Sequence, residues 1–205
     1  MSNGIQYLLN ENVKLIKYVF QYQQSHDFNG NYICNLEDIR GKLLLNPVSQ
    51  IIYFDYLGLY YRKEASRYLK IIGSNDKEFS AEYMKQVMTY SYTEEQRKLV
   101  RVFLNKALEN FEKAYQCTED NILWESYIQY NIVRTQIMQF LMKFPEAKSQ
   151  KRIYKNLCKS VSTRENVYLL YGDGDSYLGM QLKEEYERSV EVQKAFEEIM
   201  KNVAS

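Results

Sequence analysis

Apolar residues along this chain recur at spacings of three and four, so the pattern predicts long amphipathic helices. Leu8, Leu9, Val13, Ile16, Val19 and Phe20 share one stripe over Ile5–Gln24. After a polar, Gly-containing stretch, Asn35 caps a short helix over Leu36–Leu44, which stops before Asn46-Pro47. A long helix is expected over Val48–Ile72, closed by Gly73, and the segment from Ser74 starts another. Thr93 and Gln96 have capping-box spacing and open a helix over Glu94–Cys117, with Val100, Phe103, Leu104, Ala107, Phe111 and Ala114 on its buried face. Thr118 is the expected cap of a helix running to Phe144, ahead of Pro145. Beyond it, helices are expected over Glu146–Val161 and Thr163–Tyr171, the second restarted by a box at Ser162 and Glu165. GDGDS breaks the chain, and a last helix reaches Asn202 with Leu178, Leu182, Tyr186, Val190, Phe196 and Val203 inward. No segment alternates with period two long enough to make a strand. The fold class is all-α: antiparallel helical hairpins, about seven or eight helices in all.

Composition supports few, long elements, because only 8 Gly and 2 Pro occur in 205 residues. That length suits one all-helical domain over 1–205, with 1–92 and 93–205 as candidate sub-units. The 27 basic residues nearly balance the 26 acidic ones, so no whole-molecule field steers the chain toward a polyanion. No apolar run reaches the roughly 20 residues a bilayer span needs, and the first 20 residues lack a secretion-signal pattern. Cys34, Cys117 and Cys158 are too scattered for a disulfide framework, so the expected location is the reducing cytoplasm, with no membrane partner. Tyrosine is abundant, 20 residues, and supplies rings with polar tips for half-buried seams and recognition surfaces.

Two stretches carry a family pattern. Phe54, Leu57, Gly58 and Tyr61 have the aromatic-x2-Leu-Gly-x2-Tyr spacing, and Ala107, Phe111 and Ala114 have the Ala-x3-Phe-x2-Ala spacing. Trp124 stands where a following unit's leading aromatic would fall. In these residues the chain resembles the tetratricopeptide repeat, in which small residues let helices approach and aromatics fill the gaps. No 34-residue period joins the two stretches, so an irregular helical bundle is the competing architecture. The resemblance implies a concave groove lined by first helices that clamps a peptide. Its contacts would then come from the aromatic and polar mix of Trp124–Phe140, through Tyr127, Asn131 and Arg134.

Reactive constellations are absent from the reading. His26 is the one histidine, too little for a triad or a His-based metal site. Gly172–Ser176 offers Asp173 and Asp175, but Leu178 takes the place of a calcium loop's sharp-turn glycine, so the segment reads as a turn. The helix-turn-helix outline around Leu36–Gly58 shows Gln50, Tyr53 and Asp55 where a DNA-reading helix needs cations. The expectation is therefore a protein- or peptide-binding scaffold or regulatory module, not an enzyme, without cofactor or metal. It fits one domain of a larger regulatory protein, and self-association into a homodimer fits the same faces. The alternative is a nucleic-acid-associated regulator using the basic stretch 143–164 (Lys143, Lys148, Lys151, Arg152, Lys155, Lys159, Arg164). Against that alternative, the acids of 173–198 are expected to face these cations across a helical hairpin.

Overall fold

The computed structural model describes residues 47–69, 79–119, 121–172 and 177–204. They form six helices and no strand: α1 (Pro47–Tyr68), α2 (Ala81–Thr89), α3 (Glu94–Gln116), α4 (Ile122–Leu141), α5 (Gln150–Tyr171) and α6 (Tyr177–Ala204). The all-α class stands, with six helices among the described residues where seven or eight were expected. The helices expected at Ile5–Gln24 and Leu36–Leu44 lie outside the described residues, as do Gly73, His26, Cys34 and residues 173–176 of the expected turn.

Local signals explain most boundaries. Pro47 takes the first helical position of α1, where its missing N–H costs nothing. The capping box opens α3 as its spacing requires: Gln96 N donates to Thr93 Oγ1 at 3.2 Å, and Thr93 N donates to Gln96 Oε1 at 2.9 Å. Thr118, however, closes α3 instead of opening α4, because its hydroxyl donates back to the Tyr115 carbonyl at 2.8 Å. The cap of α4 is Asn121, whose Oδ1 accepts from Trp124 N. The expected break at Ser162 is also corrected. Val161, Arg164 and Val167 continue the buried stripe of Ile153 and Leu157 without interruption, so α5 is one helix. Glu146 belongs to the preceding turn, where its carboxylate accepts from Arg101 Nε at 2.8 Å and Asn105 Nδ2 at 2.9 Å.

α4 ends in a Schellman motif: Phe144 N donates to Gln139 O, and Lys143 N to Phe140 O. The left-handed position falls on Lys143, at φ 54°. A lysine there bears a steric cost that glycine does not. Lys143→Gly is expected to stabilise the chain by about 0.5–1 kcal/mol, read as a rise in the thermal midpoint; an unchanged or lower midpoint would contradict that strain.

Packing follows chain order with one exception. α1 lies along α3, α3 on α4, α4 on α5 and α5 on α6, while α2 reaches across to α6 and α4. The α1–α3 pair is antiparallel: Gln50 meets Cys117 at one end, Gly58 meets Phe111 midway, and Tyr61 stacks on Phe103 beyond. Arg97 and Arg101 of α3 reach the far end of α4, so that pair is antiparallel too, and α1 and α4 run parallel side by side. One core gathers α2, α4, α5 and α6 around Met84, Ile137, Leu141, Ile153, Leu157 and Phe196. A second, smaller one holds Ile51, Ala107, Phe111, Ala114 and Ile128. Burial of each such large side chain contributes about 1.5–3 kcal/mol.

Candidate functional site on the central helix

α4 is the central helix. From Ser126 to Leu141 it is buried on nearly every side, and its buried set includes Ser126, Asn131, Thr135, Gln136 and Gln139. Such polar groups usually persist in a core when partnered. For Asn131, Gln136 and Gln139 partners come from the flanking helices, while Thr135 donates to its own helix at Asn131 O and Gln136 Nε2 has no partner among the described residues. Gln136 Oε1 accepts from Asn156 of α5, and Gln139 Nε2 donates to Asn105 of α3 at 2.7 Å.

Asn131 occupies the junction with α1. It is 3% exposed, donates through Nδ2 to Asp55 Oδ1 at 3.0 Å, and accepts through Oδ1 from Arg62 at 3.1 Å. One amide thus couples an acid and a base two turns apart on α1. Asp55 is itself 4% exposed, and burial pushes its carboxyl up to about 7 despite the opposing pull of Arg62 and the Asn131 hydrogen bond. Tyr127, one turn before Asn131, is half-buried. Burial, then the neighbouring Asp55, hold its hydroxyl well above the usual tyrosine range, while Arg62 and the Asn131 hydrogen bond oppose them.

Arg134 is half-buried, with its guanidinium 4.5 Å from the Phe79 ring centre and 5.5 Å from that of Tyr130. Arg164 of α5 lies 4.0 Å from the Tyr130 ring centre and donates to the Glu185 carbonyl at 2.9 Å. It also pairs with the Glu185 carboxylate at 3.3 Å. Tyr130 therefore has two guanidiniums close to its ring, a favourable use of the ring quadrupole in a dry setting. Burial raises its hydroxyl above the ordinary range, and Arg134, Arg164, Arg62 and Arg188 pull the other way.

The three residues singled out from the sequence therefore sit within two turns of one helix, at different depths. Tyr127 and Arg134 reach the surface in part. Asn131 lies beneath them and is engaged with α1. Sequence reasoning missed Asp55, Arg62 and Arg164 as members of this cluster. An acid at Asp55 on the same helix face as Ile51 and Gly58 was the available signal.

Among the described residues no group of three or more His, Cys, Asp and Glu could hold a metal ion. Of the cysteines described, Cys117 has its thiol pushed up by burial and then by Glu119, away from the thiolate a nucleophile needs. Cys158 Sγ accepts from Gln193 across the α5–α6 seam.

The charged hairpin departs from expectation. Only Arg164 of the seven cations pairs across to α6. Polar links elsewhere on that seam come from Tyr154 to Glu197 at 2.7 Å and Tyr186 to Glu165 at 3.2 Å. Lys151, Arg152, Lys155 and Lys159 are exposed, and none lies within 4.0 Å of a carboxylate among the described residues. The reason is geometric: Ile153, Leu157, Ser160 and Val161 take the inward side of α5, so residues at 151, 155 and 159 project to the opposite side.

No family model, no curated protein and no solved structure matches this chain. No described helix is long and apolar enough to cross a membrane.

Proposed function

We propose that the chain is a protein- or peptide-binding helical scaffold, tetratricopeptide-like in the order of its helices, and that it binds at the α1–α4 junction without catalysing a reaction. The observation that carries this reading is the partial exposure of Tyr127 and Arg134 on one side of a helix that is largely buried, with the buried Asn131 between them on that side hydrogen-bonded to α1. Tyrosine and arginine are the residue types that dominate binding energy at interfaces, and rigid support beneath them limits the entropy lost on binding. Helix order supports the same reading. α1 with α3, across the intervening α2, and α4 with α5 make two antiparallel pairs, and Gly58 of the first motif packs on Phe111 of the second. α2 illustrates what the neighbouring surface accepts: a nine-residue helix placing Tyr83, Met84 and Val87 against α4 and α6. The reducing cytoplasm suits this reading.

A displayed peptide library selected on the immobilised chain provides the test. A double variant, Tyr127→Ala with Arg134→Ala, is expected to lose at least about thirtyfold in affinity for the selected peptides, the loss of one hot-spot residue. Its thermal midpoint serves as the control for folding. Peptides that bind wild type and variant equally would remove the site.

A further inference from the structure

We infer that the outward face of α5 is a docking surface for an anionic lipid bilayer, on which the helix lies flat. At 100° per residue, Lys151, Arg152, Lys155, Lys159, Ser162, Asn166, Leu169 and Leu170 all fall within an arc of roughly 100°. Every one of these eight residues is exposed. No Asp or Glu falls inside the arc; the nearest acid, Glu165, lies at its edge, where it accepts from the Tyr186 hydroxyl at 3.2 Å. The four cations occupy the first half of the helix and the two leucines its last turn. Leu169 is 72% exposed and Leu170 66%. Met180, 55% exposed, lies at the same end of the α5–α6 hairpin.

This combination selects the partner. A cationic helix face without acids complements any polyanion, and phosphate backbones would be served by the lysines alone. Two adjacent exposed leucines have no role against phosphates. They suit an interface where acyl chains begin directly beneath the charged headgroups. From Lys151 to Leu169 the face extends about 27 Å, so cations and leucines reach one plane only if α5 is parallel to it. Each cation near an anionic leaflet and each leucine in the headgroup boundary adds to binding. The sequence expectation of no membrane partner rested on the lack of a spanning segment, and a helix that lies on a bilayer needs none. Of the exposed acids of α6, Glu184 and Glu187 have Arg188 and Lys183 one turn away, which reduces the field that opposes α5.

The test is co-sedimentation of the full chain with vesicles of phosphatidylcholine alone or phosphatidylcholine mixed with phosphatidylserine, at about 50 and 500 mM salt. Binding is expected only to the mixed vesicles, and to weaken at the higher salt. Lys151→Gln, Lys155→Gln and Lys159→Gln together are expected to lower partitioning about a hundredfold. Leu169→Ser with Leu170→Ser is expected to lower it about tenfold while leaving the salt dependence in place. All five positions are exposed, and a melting curve checks that each variant folds. No sedimentation with mixed vesicles overturns the inference, as does partitioning that the lysine variant leaves unchanged. Binding to a random DNA duplex that is tighter than to vesicles and insensitive to the leucine pair also overturns it, and assigns the face to nucleic acid.

Discussion

Replacing Gly58 with leucine is expected to destabilise the chain by more than about 3 kcal/mol and to loosen α1 from α3. A Cβ built at Gly58 meets three atoms of the Phe111 ring, at 2.5, 2.5 and 2.8 Å. The ring has no room to retreat, because Phe111 is fully buried among Ile51, Ala107, Ala114 and Ile128. Close packing of that kind transmits a misplaced carbon into backbone displacement. Alanine at the same site separates the two energies involved. It regains about 0.5–1 kcal/mol of helix propensity relative to glycine and loses about 1–3 kcal/mol to overpacking, so a smaller net loss is expected. Equilibrium urea unfolding measures both variants. The decisive comparison is the double variant Gly58→Leu with Phe111→Ala. Removal of the ring clears the atoms the leucine strikes, so its loss is expected to fall well short of the sum of the two single losses. Additive losses, or a Gly58→Leu chain as stable as wild type, would rule out the close approach.

Legibility divides between information along one helix and information between helices. The stripe of α3 was readable, and Val100, Leu104, Ala107, Phe111 and Ala114 are all buried with Phe103 half-buried. A single 3.6-residue period defines that side. α6 was read less well. Its deepest seam runs through Ser189, Val192, Phe196 and Ile199, while Leu182, Tyr186 and Val190 are half-buried. Centring the stripe on Leu182, Tyr186 and Val190 and leaving out Val192 and Ile199 misplaced the face by part of a turn, and Ser189, whose hydroxyl donates to its own helix at Tyr186 O, was not scored as interior either. α4 misled for a related reason. Asn131, Thr135, Gln136 and Gln139 look like a solvent or partner face, yet α1, α3 and α5 between them supply partners to three of these side chains, leaving Gln136 Nε2 without one among the described residues, and the helix backbone takes the Thr135 hydroxyl. Asp55 and Asn131 are 76 positions apart, and no pattern within one helix reports a bond at that separation.

Stability is expected to fall as pH rises from about 4 to 7, and Asp55 is expected to be the main source of that slope. The folded chain holds the Asp55 proton up to about pH 7, whereas the unfolded chain releases it near 3.8. Between those values the folded state binds more protons, so raising the pH favours unfolding; above about 7 both states are ionised and the effect levels off. The full shift corresponds to on the order of 4 kcal/mol. Glu146 acts in the opposite sense. Partial burial raises its pKa, but the bonds from Arg101 and Asn105 outweigh it and hold it below the ordinary value, so its contribution is lost as the pH drops into the carboxylate range. Asp55→Asn isolates the first effect. It keeps an oxygen for the Asn131 amide, removes the titration, and is expected to flatten the profile between pH 4 and 7 in urea titrations. Hydrogen exchange adds a spatial readout: protection along α1 should decline across that window more steeply than protection along α5, since α1, unlike α5, is held by the Asp55–Asn131–Arg62 bridge. Parallel pH profiles for the wild-type chain and the asparagine variant would show that the carboxyl titrates in its ordinary range, and that the α1–α4 junction is wetter than its 4% exposure implies.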